Sequence, residues 1–186
     1  MSENQEENKP VRKTVTFLKK SYPVTTFTSN IFPSMTGNSF TDALGTWTIS
    51  SCGDHSTWHP TYHAMDGDDT TYWESKQMYG NEQWIIINTP DNIGICPSKF
   101  AFKVSGTSTL DNKPNTVQGW NPTTETWDTL ISIKGYCWTQ TKELEVSTSI
   151  YYTKFRFASC RNNNADQSRS LLYYFKCTAG SWRKLT

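Results

Sequence analysis

The feature of this sequence that most limits its fold is a succession of short segments rich in β-branched and aromatic residues. They read GTWTISS, EQWIIINT, FAFKVSG, NTVQGW, TWDTLISIK, YYTKFRFASC and LLYYFKC. Clusters of Gly, Pro, Asn and Asp, such as TPDNIG, STLDNKPN, NPTTET and RNNNADQS, separate most of them. Seven or eight short strands at this spacing predict an all-β domain, a β-sandwich or jelly roll.

The composition agrees with this and excludes several other classes. The chain has 186 residues, of which 14% are aromatic and 19% charged, and its net charge is +1. Disordered chains are poor in aromatic residues, and helical bundles are rich in Ala, Leu, Glu and Lys. A net charge this small also argues against capture of nucleic acid over the whole surface. No apolar run approaches the roughly 18 residues that span a bilayer.

The strand segments also predict the core. The residues at the inward-facing positions of these strands should pack between the two sheets. The predicted core consists of Trp73, Trp84, Ile86, Phe100, Phe102, Val117, Trp127, Leu130, Phe155, Phe157 and Leu172.

The N-terminal part differs from the rest of the chain. It contains Pro10 and Pro23, which disfavour helix, and it is predicted to be an extended basic arm. Such an arm is either a solvated tail or a segment that binds an acidic partner surface. The predicted division is an arm and lead-in over 1–43, a sandwich over 44–180 and a short tail over 181–186. The residues expected to contact the partner are the cations and aromatic anchors Lys9, Arg12, Lys13, Phe17, Lys19, Lys20 and Tyr22.

No pattern of residues indicates an enzyme. The sequence contains no GxSxG, HExxH, P-loop or GxGxxG motif. Five cysteines without CxxC spacing favour buried reduced thiols over a disulfide framework. His55, His59 and His63 are four residues apart, but Pro60 interrupts any helix that would align them, which argues against a zinc site. We therefore predict a non-catalytic protein.

The most informative segment runs from Ala64 to Trp73 and reads AMDGDDTTYW. An Asp-Gly-Asp sequence followed by Thr forms a tight loop in which several oxygen atoms point inward. Gly67 permits the positive φ of such a turn. The Asp and Thr side chains then either cap backbone N–H groups or gather round a hard cation.

Five segments, in order, resemble the coagulation factor 5/8 type C, or discoidin-like, family. They are AMDGDDTTYWES, the strand pair NEQWIIINTPDNIGICPSKFAFKVSG, PNTVQGWNPTTETWDTLISI, YYTKFRFASCRNNN and SLLYYFKC. The resemblance covers about residues 44–180. It implies a galactose-binding-like β-sandwich of jelly-roll topology whose loops at one end bind sugars, phospholipid headgroups or protein surfaces.

The resemblance also implies a structural calcium site in the Asp-Gly-Asp loop. Its ligands would be the backbone carbonyls of His63 and Asp68, the carboxylate of Asp66, and Thr71. The last ligand of similar modules is an acid in the final strand, whereas this chain has Tyr173 or Tyr174 there. Loss of that carboxylate would weaken a hard-cation site.

A sugar-binding set is implied in the same way. Asn162 and Asn163 match an Asn-bearing loop that contacts sugar hydroxyls in similar modules. Arg161 could supply a guanidinium, and Trp58 and Tyr79 could supply stacking faces. The Asn run is also explained by turn chemistry, because Asn tolerates left-handed backbone. The cysteines that bridge secreted members correspond to Cys52 and Cys177.

Two functions follow as expectations. The main one is an intracellular structural protein that docks on a larger protein assembly, with tubulin of a cilium or flagellum as one candidate partner. The acidic, polar N-terminus without an apolar stretch supports a cytoplasmic or cytoskeletal location. The alternative is a carbohydrate-binding, lectin-like module or a viral tail or adhesion component.

Overall fold

The fold is taken from a computed structural model of the 186-residue chain. It describes residues 30–76, 82–105, 114–134, 141–159 and 171–185. These residues form ten β-strands and one 3-10 helix over Thr61–Ala64. No helix of the described ranges has the length and apolarity needed to cross a membrane.

The strands form two antiparallel sheets that pack face to face, which confirms the predicted β-sandwich. The six-stranded sheet has the order β1-β2-β4-β9-β6-β7, and the four-stranded sheet has the order β3-β10-β5-β8. The strands are β1 Ser39–Asp42, β2 Gly45–Ser51, β3 Trp73–Glu74, β4 Gln83–Asn88, β5 Ile93–Ser105, β6 Pro114–Asn121, β7 Thr126–Lys134, β8 Lys142–Glu145, β9 Lys154–Ser159 and β10 Leu171–Lys184. Such an arrangement buries alternate residues of every central strand.

Aromatic side chains from both sheets fill the space between them. Seven of the eleven predicted core residues are buried, namely Trp73, Phe100, Phe102, Val117, Phe155, Phe157 and Leu172. Leu130 is half-buried and packs against this core. For Trp84, Ile86 and Trp127 the prediction of burial was wrong, because they are half-buried on the outer face of the six-stranded sheet.

The error at β4 is a shift of one residue. Its sequence QWIIIN has apolar residues in both phases, so alternation alone does not identify the inner face. In the structure Gln83, Ile85 and Ile87 are buried, and Ile85 pairs with Phe157 of β9. The partner strand therefore sets the phase, which turns Trp84 and Ile86 outward.

The sandwich extends beyond the predicted limits of residues 44 and 180. Phe32 is 2% exposed, and its ring lies 5.3 Å from that of Phe175. Asn30 forms a bridge with Thr178, β1 begins at Ser39, and β10 continues to Lys184. The lead-in and tail thus belong to the sandwich because they bury apolar groups and pair with its strands. The arm residues up to 29 lie outside the described residues.

The described cysteines are thiols. Cys52, Cys96 and Cys177 are free, so the bridge between Cys52 and Cys177 that the resemblance implied is absent. Burial raises the pKa of the Cys177 thiol well above its usual value, which keeps it protonated and unreactive at neutral pH. The sequence predicted buried reduced thiols; of the described cysteines Cys177 is buried, whereas Cys52 and Cys96 are half-buried.

Adjacent isoleucines on β4 allow a matched test of the inner face. Ile85 is completely buried, whereas Ile86 is half-buried on the outer face. Ile85→Ala should lower the free energy of unfolding by about 2–5 kcal/mol, the range for truncating a buried aliphatic side chain. Ile86→Ala should cost less than half as much. Urea unfolding of both variants measures the difference, and equal losses would contradict the observed phase of β4.

Candidate functional site

One end of the sandwich carries the long connections of the chain. Ser51 at the end of β2 pairs with Ile85 near the start of β4, and Gln83 pairs with Ser159 at the end of β9. In the other sheet, Leu171 at the start of β10 pairs with Glu74 of β3 and with Ser105 at the end of β5. The chain therefore enters or leaves these strands at a common end, which we call the loop end.

The largest described connection at the loop end runs over residues 52–76 and is closed at its base. Backbone N–H groups of His55 and Lys76 donate to the carbonyls of Glu74 and Gly53, both at 2.8 Å. Asp54 and Ser75 form an isolated β-bridge between them. The start and end of the connection are thus paired, so the segment between them is presented as a defined structure.

Asp54 ties this base to the core. Its Oδ1 accepts hydrogen bonds from Trp73 Nε1 at 3.0 Å, Thr61 Oγ1 at 2.5 Å and Ser51 Oγ at 3.2 Å. Trp73 is completely buried and Thr61 is 3% exposed, so two of these donors have no access to solvent. A single carboxylate oxygen therefore satisfies groups from β2, the 3-10 helix and β3.

The histidines of the connection do not form a metal site. His55 Nδ1 lies 3.2 Å from Glu74 Oε2, and the His59 ring stacks on Tyr72 with centroids 4.1 Å apart. The ring of His63 packs edge-on against Tyr62. Within the described ranges, no three side chains of His, Cys, Asp or Glu are grouped to hold a metal ion.

Trp58 lies in a turn of this connection and is 81% exposed. Tryptophan is among the most buried side chains on average, because its large apolar surface favours burial. The residue that follows Trp58, His59, is stacked on Tyr72. The loop end therefore offers an uncovered indole face, where the resemblance placed a sugar-stacking residue.

The Asp-Gly-Asp loop brings three of its predicted calcium ligands together. Thr71 Oγ1 donates to Asp66 Oδ2 at 2.7 Å and lies 3.0 Å from the carbonyl oxygen of Asp68. The Asp68 N–H donates to Asp66 Oδ1 at 2.9 Å. Gly67 has a φ of 85°, as expected for the turn. The Asp66 carbonyl also accepts a hydrogen bond from Ser34 Oγ, which fixes the loop to the lead-in.

The Asp68 carboxylate and His63, which is the fourth predicted ligand, have different surroundings. Thr70 donates two hydrogen bonds to Asp68 Oδ1, and these lower the pKa of the exposed Asp68 carboxyl. His63 lies in the 3-10 helix just before the loop, and its buried Nδ1 has no hydrogen-bond partner among the described residues. The oxygens of Asp66, Asp68 and Thr71 thus converge through hydrogen bonds of the loop itself.

The remaining sequence-predicted residues lie outside the described residues. These are Tyr79, Arg161, Asn162 and Asn163, together with the arm residues Lys9, Arg12, Lys13, Phe17, Lys19, Lys20 and Tyr22. The described strand ends that flank residues 77–81 and 160–170 are Gln83 and Ser159, which are partners at the loop end. The binding roles of Tyr79, Arg161, Asn162, Asn163 and the arm residues stay predictions.

Sequence reasoning missed the residues that organise the loop end. Asp54, Tyr72 and Glu74 each contact a histidine or the buried Trp73, yet none of them was among the predicted site residues. The available signal was the aromatic and acidic composition of residues 52–76. That signal gives no partners, because the contacts join positions up to 19 residues apart.

The fold is shared with solved carbohydrate-binding modules. A family 32 module from Clostridium perfringens NanJ, in complex with galactose, is 13% identical over 74% of this chain and 93% of its own, with a TM-score of 0.54. The fifth family 32 module of CpGH89 from the same species, in complex with GalNAc-β-1,3-galactose, is 11% identical over 72% of this chain and 95% of its own, with a TM-score of 0.55. A chitosan-binding module from a Paenibacillus sp. IK-5 chitosanase/glucanase is 16% identical over 80% of this chain and 98% of its own, with a TM-score of 0.56.

These structures show the fold of the chain. No protein-family model and no curated protein sequence matches it. The structural matches confirm the expected galactose-binding-like jelly roll. The discoidin-like assignment within that fold stays a resemblance of sequence.

Because Asp54 accepts a hydrogen bond from a buried indole, removal of its carboxylate should destabilise the protein. Asp54→Ala leaves the buried Trp73 N–H without its acceptor and should lower the free energy of unfolding by about 1–3 kcal/mol, the cost of an unsatisfied buried donor. Asp54→Asn keeps an oxygen that accepts from Trp73 Nε1 and is a better control than Ser51→Ala, which would also remove the acceptor of the Gly53 N–H. Chemical unfolding measures both, and an equal loss would show that this bond is not what anchors the connection.

Proposed function

We propose that the chain is a non-catalytic carbohydrate-binding module whose ligand site lies at the loop end. The observation that carries this proposal is the 81% exposed indole of Trp58 on a connection that is anchored at its base. A flat aromatic face binds the apolar face of a sugar ring, while polar side chains beside it bind the hydroxyls. Such a site requires rigid support, since ordering a loop on binding costs affinity.

Polar side chains of the 52–76 connection suit a sugar ligand. The connection that holds Trp58 also holds the imidazole of His55, which contacts the carboxylate of Glu74, and the imidazole of His59. Imidazole and carboxylate groups donate to and accept from hydroxyls. The crystallised modules with this fold include complexes with galactose and GalNAc-β-1,3-galactose, which makes galactose-type sugars the first candidates.

Docking on a protein assembly was the main function predicted from sequence, and the comparisons favour the carbohydrate-binding alternative instead. The modules compared above are carbohydrate-binding, and they give no support to tubulin or another protein as partner. Binding of a partner by the basic arm stays a prediction, and so does the cytoskeletal location. The described residues do not include the arm.

Calorimetric titration of the full chain with galactose, GalNAc-β-1,3-galactose and a chitosan oligosaccharide tests the proposal. Trp58→Ala removes the stacking face and should raise Kd about tenfold or more, equivalent to about 1.4 kcal/mol. Ile150→Ala is the control, because Ile150 is an exposed apolar residue in the segment before β9, away from the loop end. Absence of sugar binding by the unaltered chain, or a Trp58→Ala variant that binds as tightly, would contradict the proposal.

We further propose that the Asp-Gly-Asp loop holds a structural calcium ion. Thr71 Oγ1 already lies 2.7 Å from Asp66 Oδ2 and 3.0 Å from the Asp68 carbonyl oxygen, and carboxylate, carbonyl and hydroxyl oxygens are ligands that calcium prefers. The Gly67 turn and the Ser34 contact hold these groups in place. The ion would stabilise the loop and take no part in chemistry.

Thermal unfolding with millimolar calcium and with chelator tests the ion. Binding to the folded state alone stabilises by RT ln(1 + [L]/Kd), about 2.7 kcal/mol at one hundred times Kd, so calcium should raise Tm. Asp66→Asn should abolish the calcium-dependent rise, whereas Asp69→Asn, an exposed acid in the same loop, should retain it. A Tm that neither calcium nor chelator changes would remove the ion from this loop.

A further inference from the structure

The outer face of the six-stranded sheet carries two continuous cross-strand rows that the loop end does not use. The first row contains Thr48, Asn88, Lys154, Trp120 and Trp127, from β2, β4, β9, β6 and β7 in spatial order. The second contains Ser50, Ile86, Arg156, Gln118 and Thr129 from the same strands. With strands about 4.8 Å apart, each row spans about 19 Å.

Cations lie against the tryptophans of this face. The Lys154 ammonium lies 5.5 Å from the centroid of Trp120, and the Arg156 guanidinium lies 4.9 Å from that of Trp127. The two indoles pack edge to face at 5.5 Å. Trp84, near the start of β4, is a third half-buried tryptophan on the same face. Outward-facing sheet positions are usually polar, so this concentration of indoles requires an explanation.

The polar side chains of the rows are held in place. Arg156 Nε donates to Gln118 Oε1 at 2.6 Å, and Arg156 also pairs with Glu82 at 3.3 Å. Asn88 Nδ2 donates to Thr48 Oγ1 at 2.9 Å. The face therefore has a fixed arrangement of amide, hydroxyl and guanidinium groups around its aromatic rings, which lowers the entropic cost of binding a ligand.

The face continues into a groove at the end of the sandwich opposite the loop end. The groove has a volume of about 630 Å³ and is lined by Thr48, Asn88 and Lys154 of the first row, with Asp91 and Asn92 of the turn after β4 among its other residues. Lys154 belongs to both surfaces. Its ammonium is exposed and forms no ion pair with a carboxylate of the described residues.

We propose that this outer sheet face is a second binding surface, which takes an extended polysaccharide chain bearing acidic groups. The indoles contact the apolar faces of sugar rings, and the hydroxyl and amide groups of both rows contact the sugar hydroxyls. Lys154 pairs with a carboxylate or sulfate of the polysaccharide. Arg156 is already paired with Glu82, so Lys154 supplies the uncompensated positive charge of the two rows.

A polysaccharide fits this surface better than a folded protein or the chain's own basic arm. The centres of protein interfaces are depleted of charged residues. Here Lys154 lies at the centre of the first row and Arg156 at the centre of the second. The arm carries five cations between Lys9 and Lys20, which the cations of the face would repel. A linear glycan of several sugars matches the length of the rows.

Affinity electrophoresis of the full chain tests the proposal, with polygalacturonate and heparin as the acidic polymers and galactan as the neutral one. The two acidic polymers distinguish carboxylate from sulfate. We expect retardation by at least one of them, with little by galactan, and weaker retardation as salt screens the charges. Lys154→Glu should weaken binding about fivefold or more at low salt, which corresponds to about 1 kcal/mol. Lys184→Glu, at an exposed position of the other sheet, should not.

A second variant separates stacking from charge. Trp127→Ala should weaken binding about tenfold, and its thermal unfolding is measured alongside to show that the sheet remains folded. Trp58→Ala should retain acidic-polymer binding, so failure of the loop-end site and failure of this surface are distinguished. Three results would overturn the proposal. They are failure of the chain to bind either acidic polymer, equal retardation by galactan, and unchanged binding by both Lys154→Glu and a folded Trp127→Ala.

Discussion

The structure depends on contacts among aromatic rings between the two sheets. Phe100 of β5 and Phe175 of β10 stack at 5.6 Å, and both rings lie within 6.5 Å of Phe32 from the lead-in. Phe155 of β9 closes the group from the opposite sheet, 5.5 Å from Phe32 and 5.6 Å from Phe100. Because each ring buries a large area, the cluster fixes the sheets and the lead-in relative to each other. The loop end and the outer face are then positioned by strands that cannot shift independently.

The anchoring of the 52–76 connection follows from the same core. Trp73 is buried with the aromatic cluster, yet its indole N–H must find an acceptor, and Asp54 supplies one at 3.0 Å. That requirement draws the start of the connection against β3, and the pairing of His55 with Glu74 and of Lys76 with Gly53 follows. A buried donor thereby determines where an exposed indole, Trp58, is presented. The presentation of this site is thus tied to core packing through Trp73 and Asp54.

The sequence predicted the fold well because its signals are local. Strand composition, turn clusters and the Asp-Gly-Asp loop each depend on a few consecutive residues. The inner face of β4 was not predictable in this way, because Trp84, Ile85, Ile86 and Ile87 are all apolar and the choice depends on Phe157 of a strand some seventy residues later. The same limit applies to the site. Trp58 was recognised as a candidate, but the contacts of Asp54, Tyr72 and Glu74 depend on pairing across the connection. The extension of the sandwich to Phe32 was missed because a single buried ring has no periodic pattern around it.

The β4 phase also links fold to function. If Trp84 and Ile86 faced inward, the outer face would lose one of its indoles and the apolar residue of its second row. The observed phase instead places Ile86 beside Arg156, whose guanidinium is held by Glu82 and Gln118 while it covers Trp127. A cation over an indole reduces the exposed apolar area and keeps the face compatible with water. Trp58 has no comparable cover and is 81% exposed. The two surfaces thus present tryptophan in different ways. One offers a bare ring to a ligand, and the other offers rings among fixed cations, so a ligand that stacks on the sheet face must also accommodate positive charge.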